Sequence, residues 1–332
     1  MAGINFIYLK KELVIISFII YISIFMNSSK YYKEKKNIKV ALCTMGKKEN
    51  LYIKEFIDYY IKLGIDHIFI YDNNEPNTEK FSEIIDKKES KVSIIDTKIL
   101  KIDNQASAFT KCYTDNINKF DWFLMVDIDE YLFIVGDKLK DYLTNRRFNK
   151  CDFIKFHWVL PTDNNMIFYD SRPLFVRFKP PYIKSKYLKS IIRGNISELK
   201  YWVHSPFISP RKNTTCNNIG KIIYYNNNMN FEQIKPINIR KAYIIHFRYK
   251  SIEELVNKFK RGYGNWFKNN LNKVLLEFLK LYFQINEVSS EKVRFIENEL
   301  KLNLSCLIKD INSEYKQNKI LKKFKYLFKF IN

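Results

Sequence analysis

The stretch WFLMVDIDE, residues 122–130, joins an apolar run to three acidic residues. Its first five residues are apolar without alternation, which predicts a strand that is covered on both faces of a sheet. The run ends abruptly at Asp127, Asp129 and Glu130. Ligands of open α/β sheets bind beyond the carboxyl ends of the strands, so the acidic residues are expected to line a site there.

The residues before this stretch alternate between strand and helix patterns. Strands are predicted over residues 40–44, 67–71 and 92–95, and helices between Asn50 and Gly64 and over residues 105–117. Short connections in the order strand, helix, strand favour βαβ units and a parallel sheet. The predicted fold class is therefore α/β, with a mixed, mostly parallel sheet flanked by helices.

The second half of the chain shows a different order of patterns. Strand-like and loop segments follow from residue 153, and helices rich in Leu, Phe and Lys follow Asn269. Ser251 and Glu254 have the spacing of a capping box, which predicts that a helix begins there. We divide the chain into an N-terminal anchor and stem (1–36), a main domain (37–265) and a basic helical C-terminal extension (266–332).

Composition excludes several classes of protein. The 332 residues are 46% hydrophobic and 16% aromatic, too apolar for a disordered chain. The net charge of +22 is compatible with anionic partners, but we favour a general abundance of Lys and Asn as its explanation, and no nucleic-acid partner is predicted. Five scattered cysteines without a C-x-x-C pair argue against a zinc cluster and a disulfide framework, although one bridge stays open.

The N-terminal segment carries a membrane signal. A charge-free run of seventeen residues begins at Leu13 and ends at Ser29, after Lys10 and Lys11. A membrane span takes roughly 20 apolar residues, and no small-residue cleavage site follows the run, so we favour a single anchor over a cleaved signal peptide. The prediction is a single-pass, type II membrane protein, placed in the Golgi or endoplasmic reticulum if the host is eukaryotic.

The acidic residues after the buried strand indicate a metal site. Asp127 and Asp129 stand at i and i+2, a spacing that points both carboxylates to one side of an extended backbone. Three acids in four positions are unfavourable unless a cation or solvent compensates them. Carboxylate oxygens suit Mn²⁺ or Mg²⁺, which keep coordination positions open for phosphates. A solvated loop is the alternative interpretation.

Several stretches, in order, resemble glycosyltransferases of the GT-A fold, most closely glycosyltransferase family 92 and its family-2-like relatives. They are ENLYIKEFIDYYIKLGIDHIFIYDNN (49–74), Gln105-Ala106 with its helix, DWFLMVDIDEYLF (121–133), KSIIR (189–193) with Val203-His204, and AYIIHFRYKSIEELVNKFKRG (242–262). The resemblance covers roughly residues 38–265. The chain departs from the family pattern at Gly194, where a proline is expected, and in HWVLPTDNN (157–165), which lacks a glycine-rich loop.

The resemblance implies transfer of a sugar from a nucleotide sugar, such as a UDP-sugar, to a glycan hydroxyl with inversion. It implies that the D-x-D pair holds Mn²⁺ or Mg²⁺, with His246 as a third ligand; a histidine packed in the core is the alternative for His246. The residues expected around the donor are Thr44, Glu49, Asp72, Gln105, Lys189, Arg193 and His204. The catalytic base is left open among Asp163, Glu130 and Glu198, with Asp163 preferred because it follows a strand in a loop.

Two other functions remain compatible with these patterns. A sugar-phosphate nucleotidyltransferase would need a glycine-rich phosphate loop near the first strand, and residues 44–48 contain one glycine. A non-catalytic glycan- or membrane-binding protein on the same fold would not need the acidic pair. The partners predicted are a nucleotide-sugar donor, a glycan acceptor and a membrane.

Overall fold

The computed structural model describes residues 37–86, 89–201, 204–207, 213–223, 236–260 and 271–317. The predicted anchor and stem, residues 1–36, lie outside the described residues, as does the predicted boundary at 265. No helix in the described ranges is both long and apolar enough to cross a membrane. The described residues from Lys39 onward belong to one compact unit.

A single large sheet organises this unit. Its strands are β1 (Val40–Gly46), β2 (His67–Asp72), β3 (Val92–Asp96), β4 (Trp122–Met125), β5 (Glu130–Ile134), β6 (Phe153–Leu160), β7 (Ile183–Arg193), β10 (Thr215–Asn217) and β11 (Ala242–His246). The strand order is β3-β2-β1-β4-β7-β6-β11-β5, and β10 pairs with β6. Two short strands, β8 (Lys200–Tyr201) and β9 (Pro206–Phe207), form a separate pair.

Strand directions make the sheet mixed but mostly parallel. The first four strands of the order run parallel to one another. Strand β7 is antiparallel to both β4 and β6, and β5 is antiparallel to β11. Strand β11 runs parallel to β6. The predicted fold class is confirmed, including the helices that follow the sheet along the chain.

Helices connect and flank the strands. They are α1 (Asn50–Leu63), α2 (Phe81–Ile84), α3 (Gln105–Asn116), α4 (Leu139–Leu143), α5 (Leu174–Arg177), α6 (Ile252–Lys260), α7 (Leu271–Ile285), α8 (Ser290–Leu300) and α9 (Ser305–Gln317), with one 3₁₀ turn at Arg146–Phe148. The predicted capping box is confirmed, because the Ser251 hydroxyl bonds the Glu254 carboxylate at 2.7 Å and accepts from the Glu254 N–H at 3.3 Å.

Helix α1 shows how closely the apolar pattern determines an element. Five apolar and aromatic residues at helical spacing are buried: Tyr52, Ile53, Phe56, Ile57 and Tyr60. Gly64 ends the helix with φ of 107°, a left-handed conformation that glycine adopts without strain. The helix begins at Asn50, and Glu49 occupies the N-cap position without a side-chain hydrogen bond.

Two disulfide bonds correct the expectation that a disulfide framework is absent. Cys43 on β1 is bonded to Cys112 on α3, across 69 residues of sequence. Cys151, just before β6, is bonded to Cys216 on β10, across 65 residues. Cys306 is exposed and free. The first bond fastens α3 to the strand that it covers, and the second fastens β10 to the start of β6.

Helices α6 to α9 share a hydrophobic cluster, which includes Tyr249, Leu279, Tyr282, Phe283 and Ile296. The cluster also takes in Leu160, the last residue of β6. It joins residues on both sides of the predicted boundary at 265. The C-terminal helices therefore pack in the same unit as α6, next to the end of a central strand.

Candidate functional site

The acidic residues lie in a tight turn between β4 and β5, which we call the acidic turn (residues 127–130). The backbone N–H of Glu130 donates to the Asp127 carbonyl at 3.0 Å, so the expectation of an extended backbone is wrong here. The turn separates the two aspartates of the D-x-D pair. Each carboxylate consequently meets different partners, one on the α3 side and one on the α6 side.

Asp127 is held by two side chains that the sequence placed at the site. Gln105, the first residue of α3, donates its amide to Oδ1 of Asp127 at 2.5 Å. Nζ of Lys189, from β7, lies 3.0 Å from the same oxygen. The lysine side chain is fully buried, whereas that of Asp127 is 27% exposed. The predicted grouping of Gln105, Lys189 and Asp127 is therefore present in the fold.

Glu130 is the last residue of the acidic turn, and its side chain is fully buried. Its Oε2 accepts from the Asp127 N–H at 3.0 Å and lies 3.4 Å from Nζ of Lys189. Burial, reinforced by Asp127, raises the pKa of Glu130 well above its ordinary value. Burial also acts to lower the pKa of Lys189, but Asp127 and Glu130 outweigh it and raise that pKa. The ammonium charge of Lys189 is therefore balanced chiefly by Asp127.

Asp129 faces the other side of the turn. Its Oδ1 lies 3.5 Å from Nε2 of His246, and its Oδ2 lies 2.9 Å from Nζ of Lys258 on α6. Burial acts to raise the pKa of Asp129, but the ammonium of Lys258 leads the opposing effects, and that pKa lies well below its ordinary value. Asp129 is thus an ionised, buried carboxylate.

His246 ends β11 directly opposite Glu130 in the β5–β11 register. Its ring lies edge-on to Trp158, with 4.4 Å between the ring centroids. Burial lowers the pKa of His246, against the opposing effect of Asp129, so the imidazole is neutral at physiological pH. A neutral imidazole is the form that binds a metal ion.

The atoms that surround the acidic turn include types that bind divalent cations in proteins. A carboxylate and a neutral imidazole face each other across 3.5 Å, and Nδ1 of His246 and Oε1 of Glu130 make no hydrogen bond within the described residues. Those same residues contain no group of three or more His, Cys, Asp or Glu side chains arranged to hold a metal ion. Lysines instead neutralise the acidic turn on both sides.

The residues expected around the nucleoside lie at the carboxyl ends of β1 and β2. Thr44 is fully buried, and its hydroxyl oxygen makes no hydrogen bond in the described part of the chain. Glu49 lies 3.2 Å from Nζ of Lys250. Asp72 accepts backbone N–H groups from Asn74 and Phe81, so both of its carboxylate oxygens already support the local loop.

Of the two further predicted residues, Arg193 lies away from the acidic turn, whereas His204 packs on the same tryptophan as His246. Arg193 pairs with Trp122 at the start of β4, at the opposite end of that strand from the acidic turn. Its guanidinium donates to the carbonyls of Cys151 and Phe148 at 2.7 Å each. His204 lies with its ring 5.1 Å from that of Trp158. Burial, with Lys189 and His246 next, lowers the pKa of His204 to about 2.

Asp163, the preferred base, lies in a buried cluster with residues of the C-terminal helices. Its Oδ2 is 2.7 Å from Nζ of Lys292 and accepts from the Tyr282 hydroxyl. Its backbone N–H donates to the side chain of Asn286 at 2.7 Å. Of the other candidates, Glu198 is exposed. The Glu130 carboxylate thus belongs to the acidic turn, whereas the Asp163 carboxylate is bound by residues of the C-terminal helices.

Sequence reasoning missed two site residues, Lys250 and Lys258. Both lysines belong to the block 242–262 that carried the resemblance, in which several basic residues follow one another. The helical period of α6 does not say which lysine turns inward. Only the packing of α6 places Lys258, 19% exposed, against Asp129 and leaves Lys260, 47% exposed, on the outside.

The fold and the site define a class of protein. A mostly parallel α/β sheet with an acidic turn after a central strand, and a histidine brought beside that turn from a late strand, is the arrangement that the resemblance to GT-A-type glycosyltransferases predicts. A family model described as glycosyltransferase family 92 matches residues 36–277. Since this match covers well over half of the chain, the chain belongs to glycosyltransferase family 92.

Curated relatives agree over a shorter stretch. A rice protein (Oryza sativa subsp. japonica) described as a glycosyltransferase family 92 protein is 28% identical over 119 residues, 35% of this chain and 20% of the relative. A castor bean protein (Ricinus communis) with the same description is 25% identical over 120 residues, 34% of this chain and 20% of the relative. The matched stretch thus spans about a fifth of each relative's length.

Proposed function

We propose that this protein is a metal-dependent glycosyltransferase that transfers a sugar from a UDP-sugar to a glycan hydroxyl with inversion. The observation that carries the proposal is the meeting of Asp129 and His246, 3.5 Å apart, from elements separated by more than a hundred residues. Family membership supports glycosyl transfer over nucleotidyl transfer.

In this proposal Asp129 and His246 hold Mn²⁺ or Mg²⁺. The bound cation would supply charge stabilisation to the departing diphosphate. Asp127, fixed by Gln105 and Lys189, turns its partly exposed carboxylate toward the nucleotide, and Lys189 balances the charge of that carboxylate. Glu130 fixes the backbone of the turn through the Asp127 N–H.

An inverting transfer also needs a carboxylate that takes the proton of the acceptor hydroxyl. Asp163 and Glu130 are 1% and 0% exposed, so either would have to be uncovered when the acceptor binds. Glu198 lies in the exposed turn before β8 and needs no such uncovering. The three variants Asp163→Asn, Glu130→Gln and Glu198→Gln would separate these roles by their effects on kcat.

The test of the reaction class is UDP release by the full chain against a panel of UDP-sugars with a glycan acceptor mixture. We expect release with one donor that depends on Mn²⁺ or Mg²⁺, is abolished by a chelator and is lost in Asp129→Asn. The matched control is Asp115→Asn, which removes an exposed carboxylate of α3. Pyrophosphate release from a sugar phosphate and UTP would point to a nucleotidyltransferase instead. UDP binding without turnover on any donor would favour a non-catalytic role.

We further propose that the chain acts in an oxidising compartment, as a membrane-anchored protein with its α/β unit in the lumen. The support is the pair of buried disulfides, because such bonds are rare where glutathione keeps thiols reduced. The test is thiol alkylation of protein taken directly from its host cell. Labelling of Cys306 alone is expected, and labelling of all five cysteines would contradict the proposal.

A further inference from the structure

Lys258 reaches from α6 to the acidic turn and pairs with the carboxylate that we assign to the metal. Its Nζ lies 2.9 Å from Oδ2 of Asp129 and donates to the Arg248 carbonyl at 3.3 Å. The side chains of Lys258 and Asp129 are 19% and 7% exposed. The pair is therefore largely shielded from water. Ionic interactions in such a shielded position are stronger than at the protein surface.

The two oxygens of Asp129 are divided between two kinds of partner. Oδ1 faces the neutral imidazole of His246 at 3.5 Å, and Oδ2 faces the ammonium of Lys258. A divalent cation bound by Asp129 and His246 would stand within a few ångströms of that ammonium. Like charges at such a separation repel strongly in a poorly solvated site, so both cannot keep their best positions.

The N-terminal end of helix α6 is held in place by several contacts. The backbone position of Lys258 is therefore set by the packing of this helix. The capping box joins Ser251 to Glu254, and Glu254 pairs with the buried guanidinium of Arg177 at 2.9 Å. The N–H of Ile252 donates to the Met166 carbonyl at 3.0 Å. A displaced Lys258 would therefore move by rotation about its own flexible side chain while the helix stays in place.

We propose that Lys258 is a stand-in cation that holds Asp129 in place and is displaced when the divalent cation binds, so that Lys258 sets the metal affinity of the site. The inference rests on the proposed function, which assigns Asp129 and His246 to the metal. Its consequence is that the lysine weakens metal binding, the opposite of what a residue that merely builds the site would do. Lys258 is in this sense a positioning residue.

The experiment is Mn²⁺ titration of the full chain without donor, followed by the electron paramagnetic resonance signal of free Mn²⁺. The main variant is Lys258→Gln, which removes the charge but keeps a donor for Asp129. Lys258→Arg keeps the charge. Lys260→Gln, two residues on and paired with the exposed Glu299, is the matched control. A thermal melt of each variant establishes that it is folded.

We expect Lys258→Gln to bind Mn²⁺ at least about tenfold more tightly than the unaltered chain, because a like charge is removed from the site. Lys258→Arg and Lys260→Gln should bind like the unaltered chain. Equal or weaker binding by folded Lys258→Gln would overturn the inference and leave the proposed metal site standing. Absence of Mn²⁺ binding from every variant would overturn both. If Lys258→Gln fails to fold, Lys258→Met gives the same comparison.

Discussion

Among the described residues, the acidic turn and the Asp163 cluster are two buried groups of carboxylates and lysines that differ in their balance of charge and partners. The acidic turn gathers three carboxyl groups against Lys189 and Lys258, with polar atoms of Glu130 and His246 that make no hydrogen bond in the described residues. The Asp163 cluster sets one carboxylate against one lysine. There Lys292 also donates to Asn165 at 2.9 Å and to the Glu287 carbonyl at 3.2 Å.

The difference shows which features distinguish a binding site from an ion pair that only stabilises the fold. The Asp163 cluster is neutral and its groups satisfy one another, so it gains nothing from a further ligand and serves to join the loop after β6 to α7 and α8. The acidic turn carries an excess of carboxyl groups and polar atoms with unused capacity, and it stands where parallel strands end. These unused polar atoms of Glu130 and His246, at that edge of the sheet, are what a bound cation would use.

Substitution of one aspartate in each cluster tests most strongly whether the two clusters have different roles. Asp129→Asn should lower metal-dependent sugar transfer by about 10²–10³-fold, because the amide is a poor ligand for a hard cation. Steady-state kinetics with chelated and Mn²⁺-loaded protein measure this. Asp163→Asn should keep most of its kcat at a temperature where it is folded. The reverse pattern, with activity lost at Asp163 and kept at Asp129, would exchange the roles of the two clusters.

A second prediction concerns the stability of the Asp163 cluster. Lys292→Met should lower the free energy of unfolding by about 3–5 kcal/mol, since the Asp163 charge stays buried without its partner. Urea unfolding followed by circular dichroism measures the loss. Lys260→Met breaks only an exposed pair with Glu299 and should leave the stability close to that of the unaltered chain. Equal effects of the two variants would show that the cluster does not hold the helices in place.

A third prediction compares the removal of one disulfide bond with the removal of the other. Removing either bond, as Cys43→Ala with Cys112→Ala or as Cys151→Ala with Cys216→Ala, should cost about 2–4 kcal/mol of stability. Only the first bond fastens α3, whose first residue Gln105 holds Asp127. Transfer activity of the folded variants should fall in the first pair and stay near its original level in the second. Identical activities would mean that α3 needs no fastening to orient Asp127.

The smallest expected effect is a change in pH dependence at His204. Burial depresses its pKa to about 2, with Lys189, His246, Arg248 and Lys155 adding to the effect. The unfolded chain takes up a proton near pH 6.5 and the folded chain does not, so stability is lost as pH falls below about 6.5. His204→Phe should flatten this loss by at most about 1.4 kcal/mol per pH unit. Unfolding curves at pH 7.5 and 5 test it, and an unchanged slope would contradict it.

The first half of the fold could be read from the sequence almost residue by residue. The apolar periods predict β1, α1, β2 and α3 closely, because those patterns are local and the connections are short. The grouping of the acidic residues with some of their predicted neighbours is present in the fold, while donor binding stays a prediction. Asp127 with Gln105 and Lys189, and Asp129 with His246, are brought together by the order of the strands.

What the sequence could not show depends on contacts between distant residues. The two disulfides join cysteines 69 and 65 residues apart, and nothing in their spacing indicates that they meet. Asp163 follows a strand in a loop, as expected, but helices from the C-terminal part cover it. Arg193 lies on a predicted site segment, yet the antiparallel course of β7 places it at the far end of β4.

The central claim is that Asp129 and His246 form a divalent cation site in which Lys258 stands in for the metal. Anomalous diffraction from crystals of the full chain grown with Mn²⁺ and UDP tests it most directly. We predict one strong peak about 2.2 Å from both a carboxylate oxygen of Asp129 and Nε2 of His246, with the ammonium of Lys258 moved away from Asp129. A peak at other residues, or bound UDP without a peak and with Lys258 still on Asp129, would contradict the account.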